Sequence, residues 1–565
     1  MKNTLHILLA TLLANLLSIS SYAGLDWTYG SFSNHDNILR KTSAVAYAAS
    51  GAIYVTGREE MSSGNKLIVT KKFSSSGTMV SSVTNTYFYP SGITLNDNAA
   101  DIALDANDNV YVLGKQYGSS SRGYDVVLIK YNSSLTQQWK KLIYNANSAQ
   151  LNYNEKPCKI LVDANNAVYV TGTWSNITAT GFTEEPFVQK YNASGTLIYS
   201  TSVPQTIGKT TFDVNDMCID NSLNVTVCAR TKDANDNYSI MYARISSTGS
   251  LSWKKFHTPA SVYKTLFNPE IECTAAGTIY IAASTIREPN SYDKYVKLAT
   301  VKLNSSGTLL WEQLSPELHE YADEIKLRLD ASNNIYTGCD FWGSPTPTFI
   351  NHRIYKWNSS GVLQWTYTSP EISQNFTFET FSSSAVFVLF ENFSTEKPVL
   401  RKLNAATGSI LWTEIITSPP PANYYTFQLP LTDIAVNSVT SEVAYCGTIE
   451  ASFLTPVYSE ECRWLIKKYG ATSPRITDSE EQNMDIQLFP VPADEKLTVK
   501  WNGNNDETME IIFTDVNGKV VLSEMHITSA ENNIQIETAS LPSGFYTVTI
   551  SGKEYTQTKK LIITH

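Results

Sequence analysis

The segments LDANDNVYVLG (Leu104–Gly114) and VVLIKYNSSLTQQW (Val126–Trp139) together contain the unit that decides the fold. The first has a strand end, an Asx-rich turn and a strand whose apolar residues alternate with a period of two. The second has a strand ending in Lys-Tyr, a polar turn and a strand that carries Trp. Asn, Asp and Gly tolerate the positive φ of tight hairpin turns. The unit therefore predicts four short antiparallel strands.

Copies of this unit follow one another along most of the chain. The first begins at YAASGAIYVTG (Tyr47–Gly57) and the last at NSVTSEVAYCG (Asn437–Gly447). Four-stranded units without a helical period are typical of β-propellers. Counting the units predicts an all-β fold with eight blades. Seven blades are the alternative, because the unit containing TEKPVLRKL (Thr395–Leu403) is the shortest.

The two ends of the array are complementary. The last unit stops at WLIKKYGATSP (Trp464–Pro474), before its Trp-containing strand, whereas LDWTYG (Leu25–Gly30) has that strand and no unit in front of it. In a ring, the N-terminal strand would complete the last sheet. We therefore expect closure by pairing of the N- and C-terminal strands, which would remove open sheet edges that promote aggregation.

The units resemble the SBBP repeat of bacterial β-propellers, whose core is D-x-x-x-N-x-Y-V-x-G, over residues 24–473. The resemblance implies a propeller over that range. Several units depart from the core. YAASGAIYVTG has Ala49-Ser50-Gly51 in place of an Asp-containing turn, and FSSSAVFVLF also lacks the Asp. These departures leave the number of blades open.

Residues 1–23 have the pattern of a secretory signal peptide. Lys2 precedes an apolar run from Ile7 to Leu17, and Ser21-Tyr22-Ala23 is a small-x-small cleavage pattern. A membrane anchor is the alternative, but the run is shorter than the ~20 residues that cross a bilayer, and no later segment is long enough. We expect export to the periplasm with cleavage near Ala23, and no transmembrane segment.

A second region follows the repeats. Residues 474–483 are polar, include Asp478, Glu480 and Glu481, and are interpreted as a linker. From 484 to 565, short alternating strands are separated by Gly, Asn and Pro turns. Strands without a helical period predict a small Ig-like β-sandwich.

This last region resembles the type A C-terminal sorting domain of the type IX secretion system of Bacteroidota. The motifs LFPVPADEKLTV, DVNGKVV and LPSGFYTVTISG with TKKLII carry the resemblance. The family usually has YPNPA in the first motif, whereas here Phe489 replaces Tyr and Val491 replaces Asn. The positions that match the sorting motif are Pro490, Pro492, Ala493, Gly518, Gly544, Tyr546, Lys559 and Lys560.

The resemblance implies that an outer-membrane translocon reads the tail and releases the chain or attaches it to the cell surface. We therefore expect a secreted or surface-located protein, with the type IX machinery as its partner in export. Lys559 and Lys560 match the basic pair of the family. They either help recognition or form a solvated strand end.

Composition limits the classes of partner and cofactor. The formal net charge is −10 and charged residues are 17% of the chain, which lacks the basic field that nucleic-acid binding needs. Cys158, Cys218 and Cys273 each stand just before a turn, and Cys339 and Cys446 lie in the strand after it, which favours buried apolar side chains over a disulfide framework. No Cys or His spacing indicates zinc.

No catalytic motif is found in the sequence. It has no GxSxG elbow and no HExxH motif. His257, His319 and His352 lie in or near different units, with no fixed relation to a nucleophile. The adjacent carboxylates are interpreted as solvated loop charges: Glu59-Glu60, Glu184-Glu185 and Asp323-Glu324.

The DANDN segments at Asp105–Asn109 and Asp233–Asn237 resemble half of a calcium loop. An EF-hand needs Gly at the sixth position, where this chain has Val110 and Tyr238. We therefore expect Asx turns at both places. No cofactor is predicted, and calcium in another geometry is left without support.

Aromatic residues in variable loops are candidates for ligand contact. Trp342 lies in CDFWGSPTPTF, and Tyr424 and Tyr425 lie in PPPANYYTF. Such rings can stack on sugars, and packing within the loop is the alternative. The sequence favours a secreted or surface propeller that binds a polysaccharide or a surface protein. The alternatives are an extracellular hydrolase or lyase with its site at the propeller mouth, and a structural component of the cell surface.

Overall fold

The computed structural model describes residues 25–29, 40–61, 63–85, 95–119, 123–145, 155–178, 181–258, 264–265, 269–287, 295–316, 318–343, 350–392, 394–395, 397–416, 424–428, 431–453, 459–469, 487–500, 508–515, 519–527, 533–551 and 556–565. All regular structure in these ranges is β-strand. Within them, no helix is long and apolar enough to cross a membrane. The chain divides into two units, Met1–Ile476 and Thr477–His565.

The described part of the first unit begins with β1 (Leu25–Tyr29) and continues as antiparallel sheets of strands that are adjacent in sequence. Sheet 1 contains β2 (Arg40–Tyr47), β3 (Ile53–Glu60), β4 (Lys66–Phe73) and β5 (Met79–Thr84). Sheet 2 contains β6 (Asn98–Leu104), β7 (Val110–Ser119), β8 (Gly123–Tyr131) and β9 (Gln137–Ile143). Sheet 3 contains β10 (Lys156–Val162), β11 (Val168–Thr178), β12 (Gly181–Tyr191) and β13 (Leu197–Ser202). Sheet 4 contains β14 (Lys209–Ile219), β15 (Val225–Asp233), β16 (Tyr238–Ile245) and β17 (Leu251–His257).

The second half of this unit repeats the arrangement. Sheet 5 contains β18 (Lys264–Thr265), β19 (Glu270–Cys273), β20 (Ile279–Arg287), β21 (Tyr295–Leu303) and β22 (Leu309–Leu314). Sheet 6 contains β23 (Leu318–Leu329), β24 (Ile335–Gly343), β25 (Ile350–Trp357) and β26 (Leu363–Thr368), and a short β21–β23 pairing joins it to sheet 5. Sheet 7 contains β27 (Ser373–Phe381), β28 (Ala385–Asn392), β29 (Lys397–Asn404) and β30 (Ile410–Ile415). Sheet 8 contains β31 (Tyr424–Gln428), β32 (Leu431–Val436), β33 (Val443–Phe453) and β34 (Ser459–Tyr469).

Sheet 8 also contains the N-terminal strand. β1 pairs antiparallel with β34, so that Leu25 lies opposite Tyr469 and Thr28 lies opposite Lys467. β31 and β32 both pair with β33 and share the first position of sheet 8. β1 therefore takes the fourth position, which the Trp-containing strand takes in the other sheets. Strands from the two ends of the unit thus share one sheet.

Apolar clusters fill the gaps between consecutive sheets. Tyr111 of sheet 2 and Phe187 of sheet 3 lie in one such cluster. Clusters of the same kind join each further pair from sheets 1 and 2 to sheets 7 and 8. Another contains Phe73 of sheet 1 and Trp464 of sheet 8. Because neighbours cover both faces of a sheet, consecutive residues of a second strand such as Tyr54 and Val55 are fully buried.

The first strands of the sheets form the innermost layer. Each contacts the first strand of the next sheet, and β32 of sheet 8 contacts β2 of sheet 1. A β-bulge interrupts their pairing with the second strands at one equivalent place, and in sheet 5 the first strand is split there into β18 and β19. Bulges bend a strand and re-aim the side chains that follow.

The second unit is a small two-sheet fold. One sheet has the order β35 (Gln487–Phe489), β36 (Lys496–Lys500), β39 (Asn533–Glu537). The other has the order β38 (Val520–Ile527), β37 (Thr508–Asp515), β40 (Gly544–Ser551), β41 (Thr556–Ile563). One apolar cluster combines residues of both sheets, including Leu497, Phe513 and Val548. This is the packing of a β-sandwich.

Candidate functional site

The Asx-rich turns are held by hydrogen bonds between side chains and backbone of the repeat. Asp163 Oδ1 accepts hydrogen bonds from the backbone N–H of Asn165 and Ala167, at 2.8 and 2.9 Å. Its Oδ2 accepts the hydroxyl of buried Tyr169 at 3.0 Å. The same set recurs around Asp105 and Asp330. The Asp, Asn and Tyr of the repeat are therefore structural, as Asx turns require.

Lysines at the ends of third strands fasten five of the sheets to the turn of the next sheet. Lys302 Nζ donates to the carbonyl of Ser359 at 2.6 Å, and Lys356 Nζ donates to that of Ala405 at 2.6 Å. The same contact joins Lys72 to Ser133, Lys130 to Ala193 and Lys468 to Ser75. The last of these links sheet 8 to sheet 1.

The repeat tryptophans cover the same turns. Trp311 Nε1 donates to the carbonyl of Ser359 at 3.3 Å. Gly361 in that turn has φ +81°, and a Cβ there would lie 3.0 Å from the Trp311 ring. Trp139 and Gly195, Trp253 and Gly307, and Trp365 and Gly408 form equivalent pairs. At the end of the sheets where these turns lie, the lysines, tryptophans and turn residues of the repeat are thus engaged in contacts between sheets.

The variable connections lie at the opposite end of the sheets. In an antiparallel array, the second-to-third hairpins and the links between sheets leave from the end opposite to the first-to-second and third-to-fourth turns. Trp342 is near the end of β24, before such a hairpin, and Tyr424 begins β31 after such a link. The structure therefore places these candidates at one end, but in sheets 6 and 8, with sheet 7 between them. The side chains of Trp342, Tyr424 and Tyr425 lie outside the described part.

A set of charged side chains converges on the innermost layer. We call it the axial charge cluster, and its members are the ionisable residues of the first strands after the bulges: Asp101, Lys159, Asp216, Glu270, Glu272, Lys326, Arg328, Glu379 and Asp433. They come from sheets 2 to 8. Carboxylates and cations alternate around much of the layer.

Four carboxylates of the cluster fasten one first strand to the next. Asp101 Oδ2 accepts the N–H of Ile160 at 3.0 Å, which connects sheets 2 and 3. Equivalent bonds run to Asp216 from Ile271, to Glu270 from Leu327 and to Asp433 from Val45. The last again connects sheet 8 to sheet 1. A carboxylate that accepts a backbone N–H is a charge-assisted acceptor, which holds the layer in register.

The cations of the cluster pair with carboxylates of neighbouring sheets. Arg328 Nε lies 2.8 Å from Glu379 Oε2, and its Nη1 lies 3.3 Å from Glu270 Oε2. Lys159 Nζ lies 3.9 Å from Asp216 Oδ1, and 38% of its side chain is exposed. An exposed lysine on an innermost strand indicates that water reaches this layer.

The carboxyls of the cluster differ in their electrostatics. Burial raises the pKa of Glu272 to about 8, although Arg328 favours its charged form. Burial also raises the pKa of Asp433 to about 6, with Asp101 adding to the effect. For Glu270, Lys326 and Arg328 outweigh burial and hold its pKa below the usual value. At neutral pH Glu272 is therefore mainly a neutral acid that can donate a proton or a hydrogen bond, as general acids do.

His352 is buried between sheets 6 and 7. Its Nδ1 lies 2.7 Å from Ser373 Oγ, and its ring stacks on Phe376. Burial, with Arg401 adding, lowers the pKa of His352 well below its usual value. Both His352 and Ser373 have no exposed surface, so this pair is part of the core and no substrate can reach it.

The prediction that the adjacent carboxylates are loop charges is wrong in its placement. Glu59 lies in β3 and accepts Lys71 Nζ at 2.6 Å. Glu184 lies in β12 and accepts Lys156 Nζ at 2.7 Å. Asp323 and Glu324 lie in β23. Lysines from other strands of the same sheet pair with Glu59 and Glu184, which sequence spacing alone does not reveal.

The axial charge cluster was missed by motif searching, but a sequence signal marks it. Five of its members stand four residues before the Asp or Asn that begins the turn of their repeat, as Asp101 precedes Asp105 and Lys159 precedes Asp163. Asp216, Lys326 and Asp433 have the same offset from Asp220, Asp330 and Asn437. Aligning the units on the turn, rather than searching for local motifs, would have found them.

In the second unit, the residues of the sorting motif have different surroundings. Ala493 is fully buried and its N–H donates to the carbonyl of Ile562 at 2.7 Å. Tyr546 is buried, and its hydroxyl donates to the carbonyl of Pro542 at 2.6 Å. Gly544 begins β40 and Lys559 is exposed on β41, where Lys560 follows it. Pro490 and Pro492 are exposed before Ala493, and Gly518 lies outside the described residues.

Residues 487–564 match the family described as a secretion system C-terminal sorting domain. The match confirms the resemblance that the sequence motifs of this region carry, and it supports secretion of the chain to the cell surface. No curated protein matches the chain.

Among solved structures, the chain is similar to polysaccharide lyase PL25-Ulvanlyase, with 10% identity and a TM-score of 0.40, over 66% of this chain and 91% of that one. It is also similar to polysaccharide lyase Uly1, with 9% identity and a TM-score of 0.37, over 68% and 94% of the two chains. An ACO/RPE65 chimera gives 11% identity and a TM-score of 0.37, over 70% and 94%. Scores at this level bear on neither substrate nor activity.

Proposed function

We propose that residues 24–473 form an eight-bladed β-propeller of SBBP-type repeats, closed by β1, which the sorting segment delivers to the cell surface to bind a polysaccharide or a surface protein. The observation that supports a closed ring is that the same contacts occur between sheets 8 and 1 as between sheets that are consecutive in sequence. The Lys–turn bond, the carboxylate–backbone bond and the apolar cluster that link sheets 2 and 3 also link sheets 8 and 1. A contact set that repeats unchanged across the chain ends fits a ring.

The binding face in this proposal is the end that carries the variable connections. At the other end, the lysines, tryptophans and Asx turns of the repeat are already engaged in contacts between sheets. Loops on a rigid scaffold are where binding residues concentrate. The variable end also contains the sequence candidates Trp342, Tyr424 and Tyr425, whose rings suit contact with sugars.

A glycan array with the purified mature chain tests this proposal. We expect saturable binding to one class of glycan. Trp342→Ala, or Tyr424→Ala with Tyr425→Ala, should lower that binding at least tenfold, since an aromatic platform is lost. Leu310→Ala is the matched control, because Leu310 is 53% exposed at the opposite end. Binding that all variants retain would place the site elsewhere, and binding to no glycan would leave a surface protein as the ligand.

A second function, that of an extracellular hydrolase or lyase, is favoured by one observation. Burial raises the pKa of Glu272 to about 8, and the charge of Arg328 acts on the same carboxyl. A neutral carboxyl can protonate a leaving group, and a guanidinium can hold a substrate carboxylate or sulfate. The proposal predicts release of oligosaccharides from an acidic polysaccharide, and its loss in Glu272→Gln. Equal product release by the Gln variant would remove Glu272 from the chemistry.

A further inference from the structure

Two cysteine side chains meet in the gap between sheets 4 and 5. Cys218 lies near the end of β14, and Cys273 is the last residue of β19. Both pack in the apolar cluster between these sheets, and Cys273 contributes, after burial, to the raised pKa of the Cys218 thiol. Both cysteines are free in this structure.

Strand register explains why the two thiols face each other. Asp216 of β14 points to sheet 5, where it accepts the N–H of Ile271. Cys218 is two residues further along and therefore points to the same side, since side chains alternate along a strand. Ile271 packs in the shared cluster, and Cys273 stands two residues after it on the same side. The meeting of the thiols thus follows from the positions of the two first strands.

The destination of the chain decides what such a pair becomes. The sorting domain supports secretion to the cell surface. Disulfides form and persist in exported proteins, whereas cytosolic thiols are kept reduced. Two neighbouring thiols in one gap of an exported protein are therefore in an environment that favours oxidation.

We propose that Cys218 and Cys273 form a disulfide that joins the first strands of sheets 4 and 5 after export. This inference does not rest on the proposed ligand binding. The oxidant belongs to the class of protein or small-molecule disulfides. The Cys273 thiolate attacks it first, because Cys273 is partly exposed whereas Cys218 is buried.

The reaction balances through two exchanges. Attack by Cys273 forms a mixed disulfide and releases one oxidant thiol. Cys218 then loses its proton and displaces the second oxidant thiol, which leaves one Cys218–Cys273 bond and a fully reduced oxidant. Burial raises the pKa of the Cys218 thiol well above its usual value, so the second exchange is the slow one.

Cys228 provides a matched control within the same cluster. It is fully buried, and its thiol donates to the carbonyl of Pro269 at 3.2 Å. It packs in the same apolar cluster as Cys218 and therefore has similar surroundings. The proposal leaves Cys228 reduced.

Peptide mapping tests the bond on the full chain exported to a bacterial periplasm. Thiols are blocked with iodoacetamide before denaturation, and the chain is digested without reductant. We expect one cross-linked product that contains Cys218 and Cys273 and separates on reduction. Cys228 should instead be alkylated once the chain is denatured in the presence of the blocking agent. Recovery of both Cys218 and Cys273 as alkylated peptides, also after incubation of the folded chain with oxidised glutathione, would overturn the proposal.

A stability measurement separates the disulfide from simple packing. Reductant should lower the Tm of the exported wild-type chain and of Cys228→Ser by the same number of degrees. It should leave the Tm of the Cys218→Ser, Cys273→Ser double variant unchanged. An equal response to reductant in the double variant would contradict the assigned bond.

Discussion

Lys468 Nζ donates a hydrogen bond to the carbonyl oxygen of Ser75, 3.2 Å away and 393 positions distant in sequence. Lys468 also pairs with Glu442 at 2.8 Å, and its side chain is almost fully buried. Lys302 and Ser359 make the same contact between sheets 5 and 6. A contact of the repeat therefore also holds the two ends of the first unit together.

Replacing this lysine tests whether the contact between sheets 8 and 1 stabilises the fold as much as the equivalent contact between sheets 5 and 6. Lys468→Met should lower the free energy of unfolding by at least as much as Lys302→Met, about 1–3 kcal/mol, because each leaves a turn carbonyl without its donor. Urea unfolding of both variants measures the difference. If Lys302→Met lowered the free energy of unfolding and Lys468→Met did not, the contact between sheets 8 and 1 would not stabilise the fold as the contact between sheets 5 and 6 does.

The contact of the repeat tryptophan with the next turn can be tested by two glycine substitutions. Gly361 and Gly64 both have positive φ, +81° and +78°. A Cβ on Gly361 would meet the Trp311 ring at 3.0 Å, whereas nothing lies within 4 Å of a Cβ on Gly64. Gly64→Ala should therefore cost only the backbone strain, ~1 kcal/mol. Gly361→Ala should cost ~1–3 kcal/mol more, measured by thermal unfolding, because the ring must move. Equal costs would show that the ring yields freely.

The Asx turn can be tested by a double-mutant cycle. Asp163→Ala should lower the free energy of unfolding by ~2–4 kcal/mol, because two turn N–H groups and the buried Tyr169 hydroxyl lose their acceptor. Tyr169→Phe removes the hydroxyl that Asp163→Ala leaves without an acceptor. The double variant should therefore be less destabilised than the sum of the two single variants, by ~1–2 kcal/mol. Chemical denaturation of the four proteins gives this coupling. Strict additivity would mean that the carboxylate does not hold the tyrosine.

Glu272 gives a pH dependence with a definite sign. Its pKa in the folded chain is about 8, above its usual value of 4.5, so the folded state binds this proton more tightly than the unfolded state does. The resulting stability is complete below the unfolded pKa and is lost as the pH rises through about 8. Unfolding free energies from pH 5 to about 9 should fall less steeply in Glu272→Gln, which mimics the neutral acid.

Asp236→Asn is the control for this pH series, because Asp236 has a largely exposed side chain, 69%, in a turn. Its profile should follow the wild type. If Glu272→Gln kept the wild-type slope, the proton would not be held at Glu272.

The local structure of the first unit was readable from the sequence because it depends on neighbouring residues. Asp163, Ala167 and Tyr169 are within seven positions of one another, and they form the turn that the Asx pattern predicts. Strand alternation and Gly or Asn at turns act over the same short range. Likewise, the Trp strand missing from the last unit indicated that β1 pairs with β34.

Placement of charges was not readable, because it depends on which sheets are neighbours. Sequence reasoning put Glu59 and Glu184 in loops, whereas lysines of other strands hold them on β3 and β12. The acid Glu272 gave no motif, since its raised pKa comes from burial among residues of several other sheets.

The sequence by itself determined the repeating strands, their turns and the sorting segment, since each is written in adjacent residues. Only the tertiary structure decided that Asp101, Arg328 and Asp433 share one layer, and that Cys218 meets Cys273. The physical reason is that these contacts cross from sheet to sheet. Each sheet contributes one innermost strand, and a strand's side-chain partners are fixed by the packing of the next sheet against it, not by its own sequence.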